Sequence, residues 1–285
     1  MTQPDADTIK EQQRTQWGRA ADGWRRHDDR IQRQTAPVTR RLLQLAAVAA
    51  GQRVLDIACG TGEPALPAAR IVGPQGFVLA TDIAPEMLEV ARDKAAAEGI
   101  SNVEFRLVDG EEIDVEAESF DAVTCRWGIM FMPEPLRCLR QAQAALKHGG
   151  RFVAAVWGPP ERNPWLVTPM VQLREFLDTT PPDPTQPGGP LSFAAQGKLE
   201  SVLAEAGFGQ ASVEGLELVM ADFESGEEYW QFQRDIAGPL ATLFAQLPAD
   251  RQEAAAAAIA SAAGGGDPKG RVHLSGYALL ASGVK

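Results

Sequence analysis

Between Arg53 and Trp157 short apolar runs alternate with amphipathic stretches. The runs are RVLDIA (53–58), GFVLATD (76–82), VEFRLVD (103–109), SFDAVTC (119–125) and RFVAAVW (151–157), and helical periodicity at about 63–72, 85–98 and 133–147 separates them. Runs rich in Val, Ile, Leu and Phe between amphipathic helices predict a parallel sheet covered on both faces. An α/β core over 51–157 follows.

The flanks follow other rules. Residues 8–50 read as helical, with Trp17, Ala20, Ala21 and Trp24 at 3–4 spacing, then Val38, Leu42, Leu45, Ala46 and Ala49, and Gly51 as the expected helix end. Nine prolines between 158 and 190 break the alternation and predict one helix around 164–178 followed by an irregular loop. A helix near 195–206 ends at Gly207, QASVEGLELV (210–219) reads as a sixth strand, 225–263 as a helical block, and RVHLSGYALLAS (271–282) as a final strand.

The first strand runs into Asp56-Ile-Ala58-Cys-Gly60-Thr-Gly62-Glu-Pro-Ala65, a glycine-rich turn that opens a helix. Gly60-x-Gly62-x-x-Ala65 also fits a dinucleotide fingerprint, so a nicotinamide cofactor is one reading. Asp56 favours another, because a carboxylate at the strand end repels a pyrophosphate and attracts the sulfonium and ammonium of S-adenosylmethionine. Asp82, twenty-two residues beyond Gly60, suits the ribose hydroxyls of an adenosine ligand; as an isolated residue it would be a helix cap. Strand three ends in Asp109-Gly110-Glu111, where a polar group can meet the adenine amino group while Ile83 and Met87 flank the ring; a plain turn is the alternative. Strand four ends in Cys125-Arg126-Trp127-Gly128, followed by an apolar stretch where ligands of open α/β folds bind, although core packing accounts for its Met and Phe equally well.

VLDIACGTGE, ATDIAPEMLEVARDKA, FRLVDGEEI, SFDAVTCRWGIMFM and LKHGGRFV together resemble the successive motifs of class I S-adenosylmethionine-dependent methyltransferases, in the ubiquinone/menaquinone C-methyltransferase-like (type 11) branch. The resemblance covers about 40–157 strongly and 195–219 weakly. It implies a Rossmann-like, seven-stranded, mostly parallel sheet with an antiparallel last strand and helical cap insertions. The expected domains are an N-terminal helical lid (1–50), a cofactor core (51–157), and a remainder (158–285) carrying insertions at 158–194 and 222–268. Its implied cofactor residues are Asp56, Ala58, Gly60, Gly62, Asp82, Ile83, Met87, Asp109, Gly110, Glu111 and Arg126. Ala58 in place of the loop's first glycine and His148 in place of the proline before Gly-Gly depart from the pattern.

Composition narrows the partners. With 27 Lys and Arg against 38 Asp and Glu the formal charge is −11, a field that repels nucleic-acid phosphates. The chain also lacks the D/N-P-P-aromatic motif of nucleic-acid amino-methyltransferases after strand four, so a small-molecule acceptor is expected, with no nucleic acid and no membrane insertion. Three cysteines without CxxC spacing predict neither a disulfide framework nor a metal site. The polar start and the absence of a long apolar run predict a cytoplasmic protein.

Methyl transfer to an oxygen or carbon of a small, largely apolar molecule, such as a phenol, quinol or polyketide, is the expected activity. A non-catalytic S-adenosylmethionine-binding protein is the alternative, and a nicotinamide-dependent oxidoreductase a further one; neither tyrosine, Tyr229 or Tyr277, has the Lys four residues on that a short-chain dehydrogenase needs. An oxygen acceptor gains from a general base, and His27 is the expected one because it follows Trp17 and Trp24 in a helix able to cover the site. Trp24, Trp127, Trp157 and Trp165 are the expected acceptor contacts. The acceptor itself and the oligomeric state are not fixed by the sequence.

Overall fold

The computed structural model describes residues 5–178 and 180–285; residues 1–4 and Thr179, inside the expected lid and first insertion, lie outside the described residues. Strands β1 (Arg53–Ile57), β2 (Phe77–Asp82), β3 (Val103–Leu107), β4 (Phe120–Arg126), β5 (Leu146–Trp157), β6 (Gly209–Phe223) and β7 (Val272–Val284) form one sheet in the order β3-β2-β1-β4-β5-β7-β6. β1 to β5 run parallel, and β7 lies antiparallel between β5 and β6. This is the seven-stranded, mostly parallel sheet with an antiparallel last strand that the motifs implied. The winding reverses between β1 and β4, where Asp56 pairs with Thr124, and the crevice at the carboxyl ends of these two strands is where such sheets hold ligands.

The helices are α1 (Ala6–Arg26), α2 (Asp28–Leu45), α3 (Ala65–Val72), α4 (Pro85–Ala97), α5 (Pro135–Ala145), α6 (Pro164–Arg174), α7 (Lys198–Glu205), α8 (Gly226–Ile236), α9 (Gly238–Ala245) and α10 (Ala249–Ala263). Buried Val54, Leu55, Ile57, Val78, Val123 and Phe152 form the middle of the sheet, as the near-continuous apolar runs require of strands covered on both faces.

The helix expected over 8–50 is two helices. The chain breaks at His27 (φ −101°, ψ 13°), which lets α1 pack on α4, α8 and α9 while α2 turns to β5 and β6. α2 stops at Leu45, not Gly51: Ala47 takes φ +51° and Val48 N–H donates back to the Leu43 carbonyl, closing the end early. α6 ends at Arg174 rather than 178. The helical block is three helices, broken at Ala237 and before Ala249. β6 and β7 outlast the expected strands because they pair with each other to Phe223↔Val272, so the insertion between them runs from 224 to 271.

Candidate functional site

The crevice begins at Asp56, fully buried at the end of β1. Its Oδ1 accepts from the Thr124 hydroxyl at 2.7 Å, while Oδ2 is buried with no partner. Burial pushes its pKa up to about 7, against the opposing pull of the Thr124 hydrogen bond and the Arg126 charge. An acidic oxygen held dry and unpaired is a receptor for a cation or a hydrogen-bond donor.

The turn after it is locked to the end of β2. Asp82 Oδ2 accepts from Gly60 N–H at 2.8 Å and Oδ1 from Ala84 N–H at 2.9 Å. Each oxygen thus serves the backbone and keeps a further lone pair for a ribose hydroxyl. Burial raises the Asp82 pKa, partly offset by these backbone bonds. Ala58 sits at φ +56°, a region natural for the glycine it replaces, and Gly60 and Gly62 are also left-handed. Ile83 is half-buried beside Asp82. Met87, expected against the adenine ring, is buried with Ala84 and Val90 under Ala20, Ala21, Trp17 and Trp24 of α1.

At the end of β3 the structure adds a residue that sequence reasoning missed. Lys10 of α1 reaches Asp109 Oδ2 at 2.7 Å and Glu111 Oε2 at 2.8 Å. Burial works to lower the Lys10 pKa, but the hydrogen bonds and charges of the two carboxylates prevail and raise it. Asp109 Oδ1 accepts from Glu111 N–H at 2.9 Å, and the fully buried Glu111 caps Glu134 N–H through Oε1 at 2.5 Å. Gly110 leaves room for the Met132 side chain, which a Cβ there would strike. About a hundred residues separate Lys10 from its partners, so no local pattern announces it.

Arg126, at the end of β4, turns toward α2. Its Nη1 donates to Thr35 Oγ1 at 2.9 Å and Thr39 Oγ1 at 2.8 Å, two partners with no sequence signal. Trp127 follows at φ +56°, an unfavourable conformation for a bulky residue, which marks the position as one the surroundings enforce. Its ring stacks on Trp157 at 4.4 Å, and Trp165 meets Trp157 edge-on at 4.9 Å. Gly128 is also required there: a Cβ would collide with Ala58 of the glycine turn. Trp24 stands apart from this column, its indole N–H donating to the Ile236 carbonyl at 2.9 Å.

His27 Nε2 lies 2.8 Å from Asp235 Oδ2 of α8, and its ring meets Phe232 edge-on at 5.1 Å. A general-base role requires the imidazole to share itself between that carboxylate and an acceptor. His148 and His273 are exposed. Among the described residues no cluster of three or more His, Cys, Asp or Glu is arranged to hold a metal ion, and no helix is long and apolar enough to cross a membrane.

A turn locked by Asp82 and a buried carboxylate with an unpaired oxygen stand together at the carboxyl end of β1, and residues 49–177 match the family model described as a methyltransferase domain (Methyltransf_31). The chain is similar to methyltransferases of that model over somewhat under half of its length. It is 39% identical over 137 residues to the aklanonic acid methyltransferase DauC of Streptomyces sp. strain C5, covering 45% of this chain and 62% of that protein. It is 38% identical over 122 residues to the ubiquinone/menaquinone biosynthesis C-methyltransferase UbiE of Pseudomonas aeruginosa, covering 42% and 48%. The chain thus spans about half to three-fifths of the length of these curated relatives. The YcgJ protein of Bacillus subtilis shares the fold, with a TM-score of 0.57, 20% identity, and coverage of 87% of this chain and 97% of that one.

Proposed function

We propose that the protein transfers a methyl group from S-adenosylmethionine to an oxygen or carbon of a small, largely apolar molecule such as a phenol, quinol or polyketide. The observation that carries this reading is Asp56: a buried carboxylate with a spare oxygen, beside a glycine turn locked by Asp82, at the reversal of the sheet. That donor set fits a ligand bearing an ammonium, a sulfonium and an adenosine. A pyrophosphate would meet two carboxylates at the same place, which speaks against the nicotinamide reading.

When bound, S-adenosylmethionine supplies a methyl group made electrophilic by the adjoining sulfonium. In this reading Asp56 faces the cationic end, and Ala58, Gly60 and Gly62 bring the backbone close. Asp82 and Ile83 hold the ribose side, while Asp109, Gly110 and Glu111, with Lys10 behind them, hold the adenine side. Trp127, Trp157 and Trp165 offer the acceptor a flat apolar wall, with Trp24 on the covering helix. In this reading residues 1–50 act as the lid, 51–157 as the cofactor core, and the insertions at 158–194 and 224–271, the second expected at 222–268, as the cap. Alignment of the reactants in a site dried by lid and cap supplies most of the rate. Two relatives are named for aklanonic acid and for ubiquinone/menaquinone, which supports an oxygenated ring system as acceptor.

The test pairs calorimetry of S-adenosylhomocysteine and NAD with incubation of the protein, methyl-labelled cofactor, and a library of phenols, quinols and polyketide-like compounds. Micromolar binding of the nucleoside with label in an organic product supports the reading. Binding without label transfer to any acceptor favours the non-catalytic alternative, and preference for NAD overturns the cofactor assignment.

A further inference from the structure

One buried cation of the crevice lacks a matching anion. Arg126 is 7% exposed, its two hydrogen bonds go to neutral threonine hydroxyls, and its Nε is buried without a partner. Glu63, Asp56 and Asp28 act on it at longer range, and none forms an ion pair with it among the described residues. Asp28 is engaged by Lys94 at 2.7 Å, and Glu63 is reached through Thr39, whose hydroxyl lies 3.4 Å from Glu63 Oε2. Two other charged groups of the crevice are matched, Glu111 by Lys10 and Asp82 by two backbone N–H groups, whereas Asp56 keeps an unpaired oxygen of its own. A desolvated guanidinium with an idle donor is costly unless an anion completes it.

The surroundings specify what kind of anion. The guanidinium carbon lies 5.0 Å from the ring centre of Trp127, which heads the Trp127–Trp157–Trp165 column, and Trp127 Nε1 is itself buried without a partner. A flat aromatic face and an unpaired planar cation therefore meet at the end of one strand. A guanidinium matches a carboxylate in geometry and charge, and an indole matches a planar ring.

We propose that Arg126 seats a carboxylate and that the methyl acceptor supplies it, so that the acceptor is a planar aromatic acid. This rests on the methyltransferase reading and narrows its acceptor. The cofactor carries a carboxylate too, and Glu63 and Asp56 of the glycine turn act on Arg126, but the guanidinium lies against Trp127, which heads the aromatic column, and this favours the acceptor as the source. The family motifs implied a cofactor role for Arg126, and the experiment separates the two sources.

Binding of anthraquinone-2-carboxylate and of its carboxamide to the wild-type protein saturated with S-adenosylhomocysteine is measured by tryptophan quenching. The acid is expected to bind at least about tenfold more tightly than the amide, the size of one charge-assisted pair. Arg126→Gln should abolish the preference, Arg126→Lys should keep part of it, and both should hold S-adenosylhomocysteine within about threefold of wild type. Equal binding of acid and amide, or binding of neither, overturns the proposal without Arg126 being touched, so a folding defect in the variants cannot rescue it. If Arg126→Gln instead loses S-adenosylhomocysteine but keeps 5′-methylthioadenosine, which lacks the amino-acid carboxylate, the cofactor owns the seat and the proposal falls. Failure of the wild-type protein to bind S-adenosylhomocysteine at all counts against the methyltransferase reading itself.

Discussion

The two ends of the crevice are built from different materials. At the cofactor end, from β1 to β3, buried carboxylates are held by backbone N–H groups, a threonine and one lysine, at distances of 2.5–2.9 Å. At the proposed acceptor end, from β4 to α9, aromatic rings lean on one another: Trp127, Trp157 and Trp165, then Trp230 on Phe244. Tyr229 joins the two layers of that region, its hydroxyl and Gln233 both donating to the Trp165 carbonyl. Directional bonds fix a ligand of defined shape, and non-directional packing accepts a range of ring systems. The contrast explains how one fold keeps a cofactor while changing acceptors.

Asp82→Ala should break the polar end most. Removing the carboxylate frees the Gly60 and Ala84 N–H groups and deletes two charge-assisted bonds to ribose at roughly 1.5 kcal/mol each, so S-adenosylhomocysteine affinity should fall about a hundredfold or more by calorimetry. Unchanged affinity would remove Asp82 from the site.

Lys10→Met tests the seam between the ends, since α1 spans both. It leaves two carboxylates facing each other, one fully buried, and should cost about 3 kcal/mol, read as a Tm lower by several degrees. Trypsin should then cut α1 at Arg14 and Arg19 faster than in wild type, and equal cutting rates would show that the ion pairs do not hold the helix down.

Asp56→Asn sharpens the comparison through pH. The folded-state pKa of Asp56 is raised to about 7, so its contribution to stability is complete below about pH 4 and is lost as pH rises toward 7. The variant should therefore gain stability relative to wild type between pH 4 and 7 and hold that gain above 7. Wild-type affinity for S-adenosylhomocysteine should tighten from pH 6 to pH 8 as the carboxylate ionises for the ammonium, and Asp56→Asn should flatten that rise. An unaltered slope in the variant would mean that another group titrates.

His27→Gln should do least. Its imidazole is engaged by Asp235 and Phe232, so kcat/KM with an identified acceptor should stay within about tenfold and keep its acidic limb. A larger loss, in the 10²–10⁴ range that general bases supply, would restore the base role.

Legibility in the sequence follows the same division. The sheet could be read because apolar runs and short glycine turns are local, and Asp56, Gly60 and Asp82 stand at strand ends that the runs define. The packing of Met87 under α1 could not be read, because its apolar periodicity is the same whether it meets a ligand or a helix. Lys10 and the Thr35–Thr39 pair were invisible because only tertiary closure brings them to Asp109 and Arg126. The break at His27 went unread because the hydrophobic spacing on either side is helical, and the change of direction is set by what each half covers.

The pairing of Phe223 with Val272 has a practical side. Paired residues on adjacent antiparallel strands sit about 5 Å apart, so the 224–271 insertion leaves and re-enters the sheet at nearly one point. A segment with such close ends is a cassette: another sequence can be spliced in, or a tight turn can close the gap, without moving β5, β6 or β7. The constraint lies on the other side, where Asp235 receives Arg26 and His27 and Gly238 lies against the Gln16 backbone. A transplanted cassette that reproduces this small face would keep its contact with α1, and on the proposed reading only the walls around the acceptor would be rewritten.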